Sequence, residues 1–371
     1  MRENPVVSNP VAGARNLLLH CAGVKAGDYV LLVVEPAGHD HYDPALAPFL
    51  TDQAVKLGAT VEMVVADPAS GAESVPDSLW ATIGRADHTI FLNRLGDQIR
   101  FAPLPGAGSK TMCYALDLDF LGSGFAMASY AALERIASRL AARISGASEY
   151  TIQCPAGTAL AMRFDPTRAT AKRAAQFTVK NFPVMIVPPV SASGLSGRLV
   201  LTQAITSTYI HSYESSVLPL SSPLTLTLEE GTITRVEGEP ALVAQVTAQF
   251  ERVSALFGGP QWAVNSWHSG INPLTWFPRP ALTDMDRWSC VAFGSPRYAH
   301  FHMCGPAPGD ICGQVFDATI SFDGEALWQN GRPVFLTNGD KQSLVAHTPL
   351  LLSDFDVIPA LGIAEQPSLP G

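Results

Sequence analysis

His268, His300 and His302 fall in one C-terminal block, and His300-Phe301-His302 forms an HxH pair. On a β-strand, residues i and i+2 point to the same face, so this spacing predicts two imidazoles turned toward one ion. Asp310 and Asp317 follow, and Asp317 lies inside the apolar run Val315-Phe316-Asp317-Ala318. A carboxylate buried in such a run must find a metal, a cation or a set of N–H donors. Two imidazoles and one carboxylate with open positions suit mononuclear Fe(II), and the same ligand types suit zinc. The candidate metal ligands are His268, His302 and Asp317. The spare histidines His300 and His211 are candidate acid/base groups, because imidazole titrates near neutrality. The competing reading makes His300 and His302 hydrogen-bonded or surface residues and Asp317 a turn cap.

Around His268 lie Trp262, Trp267, Trp276 and Trp288, four of the six tryptophans in the chain. Indole faces suit flat aromatic ligands. Trp267, Trp276 and Trp288 are therefore the candidate substrate contacts, with core packing as the alternative. A second polar cluster, His39-Asp40-His41, follows an apolar run, at the place where open α/β sheets bind ligands. A polar loop is its simpler reading. There is no Walker loop, HExxH or GxSxG, and Gly122-Ser123-Gly124 lacks the preceding strand of a dinucleotide site. The six cysteines contain no CxxC pair, which disfavours a zinc ribbon and leaves them as reduced thiols.

The elements that must position these groups change character midway. Val11, Ala14, Leu17, Leu18 and Cys21 predict a helix over 10–24, and Ala45 to Val55 predict another over 43–57. The continuous apolar runs 29–34 and 60–65 predict strands, the first buried on both faces, with a third at 86–92. That alternation implies a parallel sheet. A long helix is expected over 126–146. After Gly146 the period shifts to two, with strands expected at 150–154, 159–164, 198–201, 224–228 and 232–236 and a helix over 239–257. The expected fold is an α/β domain with a mainly parallel sheet over residues 1–147, then a β-rich α+β domain over 148–371 that carries the site. The tail 364–371 is expected to fray.

The chain has 371 residues, of which 47% are hydrophobic and only 15% charged, with a formal net charge of −9. Those values exclude global disorder. They disfavour nucleic acid and anionic membrane as partners. No apolar run is long enough to span a bilayer, and no signal peptide is evident, so a cytoplasmic protein is expected. The low charge content also predicts a partly apolar surface and a homo-oligomer.

The segment 14–28, Ala-Arg-Asn-Leu-Leu-Leu-His-Cys-Ala-Gly-Val-Lys-Ala-Gly-Asp, resembles the opening of the thermophilic-type, aminopeptidase T-like metalloaminopeptidases. It also resembles their relative, 2,5-dihydroxypyridine dioxygenase, and the chain as a whole is closer to that branch. Ala156-Gly157-Thr158-Ala159-Leu160, Asn181-Phe182-Pro183, Gly197-Arg198-Leu199-Val200, Leu228-Glu229-Glu230-Gly231 and Gly270-Ile271-Asn272-Pro273 follow in the family's order, over roughly residues 10–335. The peptidase metal ligands are replaced. Val184-Met185-Ile186 stands where a Gly-Glu is expected, Ser266-Trp267-His268 where a second glutamate lies, and Cys290 where a histidine lies. Val315-Phe316-Asp317 keeps only the aspartate of a final His-x-Asp. The resemblance therefore implies one metal rather than two. By the resemblance, His268 lies in the neighbourhood of the first ligand of the dioxygenase branch and Asp317 matches the last, while Val315 stands where the second histidine is expected; apart from the resemblance, His302 or His300 on a neighbouring strand is expected to take its place. The implied activity is Fe(II)-dependent ring cleavage of a small hydroxylated N-heteroaromatic substrate. The alternatives are a zinc- or manganese-dependent hydrolase of an amide or cyclic amide, and a binding protein that has lost the metal.

Overall fold

The computed structural model describes residues 7–68, 71–164, 177–208, 213–306 and 309–363. The expected tail 364–371 and the candidate His211 lie outside these residues. Near the amino end, five parallel strands form one sheet in the order Thr60–Val65, Tyr29–Val34, His88–Leu92, Ser109–Cys113, Lys180–Phe182. The run Val30–Val33 is wholly buried, as a strand with neighbours on both edges and both faces requires. The equally apolar strand Thr60–Val65 behaves differently. It sits at the sheet edge, and Met63 and Val65 are exposed.

The helix expected over 10–24 is two elements, an α-helix Pro10–Arg15 and a π-helical segment Asn16–Ala22. Asn16 anchors the junction. Its buried amide donates to the carbonyls of Ala126 (2.8 Å) and Ala128 (2.7 Å) and accepts from the Tyr130 N–H. The long helix spans Tyr130–Ser145 and is capped by Ser129.

Beyond residue 147 the chain builds two antiparallel sheets. One has eight strands, in the order Thr232–Glu237, Leu224–Glu229, Ser196–Leu201, Ala159–Arg163, Glu149–Gln153, Thr319–Phe322, Glu325–Gln329, Arg332–Pro333. The other has six, in the order Leu218–Pro219, Ala204–Ser207, Ile311–Phe316, Tyr298–Met303, Val264–Ser269, Val190–Ser191. Tyr150 and Phe322 of the first interlock with Trp267 and Phe301 of the second, so one core lies between the sheets. The two halves are interwoven. The strand Lys180–Phe182 returns to pair with Ser109–Cys113, and Phe277, Trp288, Tyr298 and Phe316 join the core beneath the parallel sheet. Among the described residues, no helix is long and apolar enough to cross a membrane.

Candidate metal centre

The centre grows from the middle of the six-stranded sheet. Tyr298–Met303 pairs antiparallel with Val264–Ser269 on one side and Ile311–Phe316 on the other. All six of its residues are buried, so both of its faces are covered. Alternation sends Ala299, Phe301 and Met303 into the core between the sheets. Tyr298, His300 and His302 take the opposite face. Register places His268 directly across from His300, which brings a third imidazole onto that face.

One ligand atom from each of His268, His300 and His302 lies within 4.8 Å of the other two. A triangle of that side has its centre about 2.8 Å from each corner, against roughly 2.0–2.1 Å for a zinc–imidazole bond. Side-chain rotations below an ångström close that gap. The ring centroids are 5.0 to 5.1 Å apart, with His268 stacked on His300 and His302 edge-on to both.

The surroundings set which nitrogens are free. The Nδ1 of His268 donates to the Val187 carbonyl at 2.9 Å, which leaves Nε2 with its lone pair. The Nδ1 of His302 is 3.1 Å from the Thr208 hydroxyl, which occupies that nitrogen and orients the ring with Nε2 turned the other way. His300 is held by rings, with Phe293 at 4.7 Å and Tyr298 stacked at 5.3 Å. Burial pushes His268 down to about 4. Burial, with the charge of neighbouring imidazoles and of Arg100 added to it, holds His300 and His302 well below the usual histidine range. All three rings are therefore neutral at neutral pH, the form that binds metal.

Arg100 comes from the other half of the molecule, just after the short helix Leu95–Gln98 that follows the strand His88–Leu92. It is paired with Asp97, which also accepts from the Tyr114 hydroxyl at 2.8 Å. The centre thus lies where the carboxyl ends of the parallel strands meet the polar face of the six-stranded sheet.

The end of the strand that carries His268 is locked by Gly270 and Asn272. A Cβ on Gly270 would lie 2.3 Å from the Gly294 backbone, so only glycine permits the approach. The buried Asn272 amide donates to Phe125 (2.9 Å) and Pro183 (3.3 Å) carbonyls. The Gly-Ile-Asn-Pro motif is thereby a structural clasp beside the centre.

Several expected site residues lie elsewhere. Asp317 does not join the imidazoles. It follows the strand Ile311–Phe316 at φ 50°, where a turn carries it away, and Arg297 grips its carboxylate at two points, 2.7 and 2.8 Å. The demand for a counter-charge was real, and a cation meets it. Trp267 points away from the centre, because it neighbours His268 along the strand. It is wholly buried against Tyr150, Phe301 and Phe322. Trp276 packs edge-on against Phe120 in the other core. Trp288 donates to the Leu361 carbonyl at 2.7 Å and stands edge-on to Tyr298, one ring removed from His300. His300, expected as an acid/base, stands within ligand distance of the other two imidazoles. Val187 and Thr208, which orient two of the rings, carried no signal in the sequence.

The other histidine cluster divides. His39 lines a cavity of about 350 Å³ with Asp67, Pro68, Arg94 and Gln98, where Arg94 is locked to Glu35 at 2.8 Å. His41 is buried 3.7 Å from the Cys290 thiol. Burial pushes His41 down to about 4 and the Cys290 thiol well up, so this pair is neutral rather than a thiolate–imidazolium couple.

The architecture can now be compared with solved structures. The chain is similar to the 2,5-dihydroxypyridine dioxygenase from Pseudomonas putida KT2440, with a TM-score of 0.55 and 14% identity, over 88% of this chain and 97% of that one. It is also similar to wild-type AmpT from Thermus thermophilus, with a TM-score of 0.51 and 12% identity, over 88% of this chain and 99% of that one. The chain shares their fold. No family model matches the sequence, and no curated protein does. The ordered motifs of the resemblance thus fall within a shared architecture.

Proposed function

We propose that the protein is a mononuclear metal-dependent enzyme acting on a small hydroxylated N-heteroaromatic compound, as an Fe(II) ring-cleaving dioxygenase. The observation that carries this reading is the convergence of three buried, neutral imidazoles within 4.8 Å. Imidazole donors suit iron and zinc. Among the described residues no carboxylate joins the cluster, so a bridged two-metal peptidase centre lacks its ligands. When bound, the metal would supply charge stabilisation and hold reactants side by side.

The chain's own groups do the rest. Val187 and Thr208 fix the ring orientations of His268 and His302. Phe293 and Tyr298 exclude water around His300.

A second reading, a zinc- or manganese-dependent hydrolase of a cyclic amide, draws on one specific feature. A set of three histidines without a carboxylate is also the donor set of catalytic zinc. Metal analysis of the purified protein with oxygen-uptake assays separates the two. Iron with substrate-dependent O₂ consumption supports the first. Zinc or manganese with O₂-independent turnover supports the second, and absence of any metal affinity removes both.

A further inference from the structure

The face of the sheet that holds the imidazoles carries more polar atoms than the protein satisfies. Register sets Gln314 directly opposite His300, and Cys312 opposite His302. Thr206 faces Cys312, and Ser266 faces His302. Directly opposed residues of an antiparallel pair share a face, so these side chains line the floor around the centre. Gln314 is 0% exposed. The Tyr298 hydroxyl lies close to it, yet neither its Oε1 nor its Nε2 makes a well-formed hydrogen bond. The Nδ1 of His300 and the hydroxyl of Ser266 are in the same condition, while the Thr206 hydroxyl has only the Cys312 thiol beside it. Buried polar groups are rarely left so, and three such residues on one face point to a polar occupant.

We propose that Gln314 is a specificity-determining residue, whose carboxamide pairs with a ring that carries an N–H beside a C=O, as in a 2-pyridone-type lactam. The proposal rests on reading the centre as a metal-dependent small-molecule site, and it adds the edge by which the ligand is chosen. A carboxamide presents a donor and an acceptor side by side. Only a ligand with the complementary acceptor and donor on adjacent atoms satisfies both at once. A heterocycle with a hydroxyl next to its ring nitrogen presents that edge in its keto form. A ring with the hydroxyl one position further away presents a single group and leaves one end of Gln314 unmade. The site then discriminates by the desolvation of Gln314 rather than by shape.

Calorimetric titration of 2-pyridone and of 3-hydroxypyridine into the full-length protein and its variants tests this. In Gln314→Met the side-chain volume is nearly kept and the paired groups are removed. The 2-pyridone affinity should fall about 10–100-fold, the 3-hydroxypyridine affinity should fall less, so that the preference between the two narrows, and metal content should stay the same. Gln314→Asn, which keeps the chemistry but withdraws it by one methylene, should weaken 2-pyridone in the same direction and serves if the first variant misfolds. Unchanged 2-pyridone affinity in either folded variant overturns the proposal, as does a wild-type protein that binds neither probe or shows no preference between them. Metal analysis of the same samples keeps the two ideas separable. A protein that binds no metal but still discriminates through Gln314 overturns the proposed function and leaves this inference standing.

Discussion

Val187 and Thr208 touch no ligand, yet they decide which imidazole nitrogen can act. A carbonyl accepting from Nδ1 of His268 holds one tautomer, and the Thr208 hydroxyl, which can donate or accept, holds the orientation of the His302 ring. Removing such an outer partner typically lowers metal affinity by about 10–100-fold. Thr208→Val should show that drop in a chelator competition without loss of fold, whereas His300→Ala should lose metal altogether. An unchanged affinity in Thr208→Val would show that the hydroxyl does not orient the ring. Asp317→Ala should behave oppositely, keeping its metal but melting earlier. It strands Arg297, whose pairing is about four-fifths buried, at a cost of about 1–3 kcal/mol. Loss of metal in that variant would return Asp317 to the ligand set. At this scale the sequence revealed residue types and spacing but not direction. The i, i+2 pair His300 and His302 was legible because strand geometry alone puts both on one face. The partner of Asp317 stands 20 positions upstream, which no local pattern reveals. That Trp267 must point away from His268 follows from alternation, once the strand is granted.

Elements are held by fewer, more readable contacts. The helix Tyr130–Ser145 is tied to the helix Asn338–Val345 by Arg139, which meets both oxygens of Asp340 at 2.8 and 2.7 Å. Asp340 also closes the capping box with Thr337. The hydrogen bonds from Arg139, with those from Thr337, hold the Asp340 carboxyl down at about 2, below its ordinary 3.8. A carboxylate depressed in the folded state adds stability that is complete above its unfolded pKa and is lost as pH falls through the folded value. The contribution should therefore vanish between about pH 4 and pH 2. Its size is on the order of 1 kcal/mol, because Arg139 is half-exposed and screened. Denaturant titrations of Arg139→Ala should show that deficit at pH 6 and a smaller one near pH 2, and an equal deficit at both would refute the linkage. Most element boundaries fell near their expected places, since the apolar periods of 29–34 and 239–257 leave few options. The exposure of Thr60–Val65 was not readable, because an apolar run does not say whether a strand is central or at an edge. The π-helical stretch Asn16–Ala22 was not readable either. It begins at Asn16, whose amide reaches carbonyls more than 100 positions away, and no local pattern reveals such contacts.

The whole molecule makes the centre a meeting of two halves. The imidazoles belong to the six-stranded sheet, while Arg100 belongs to the parallel-sheet side and acts on all three. A metal bound there is a ligand of the native state alone, because the unfolded chain does not hold His268 beside His300 and His302. Mass action then raises stability by about 2.7 kcal/mol when free metal is 100-fold above its dissociation constant. An unfolding entropy of roughly 2.1 cal/mol/K per residue converts that, for a chain of 371 residues, into a Tm increase of about 3–4 °C. Scanning calorimetry with and without Fe(II) under nitrogen, and with Zn(II), should show this rise in the wild-type protein. His300→Ala should remain within about 1 °C of its own metal-free value. A wild-type Tm indifferent to every metal tried would mean that the three rings are a packed core cluster. A rise that survives in His300→Ala would place the metal somewhere other than this sheet.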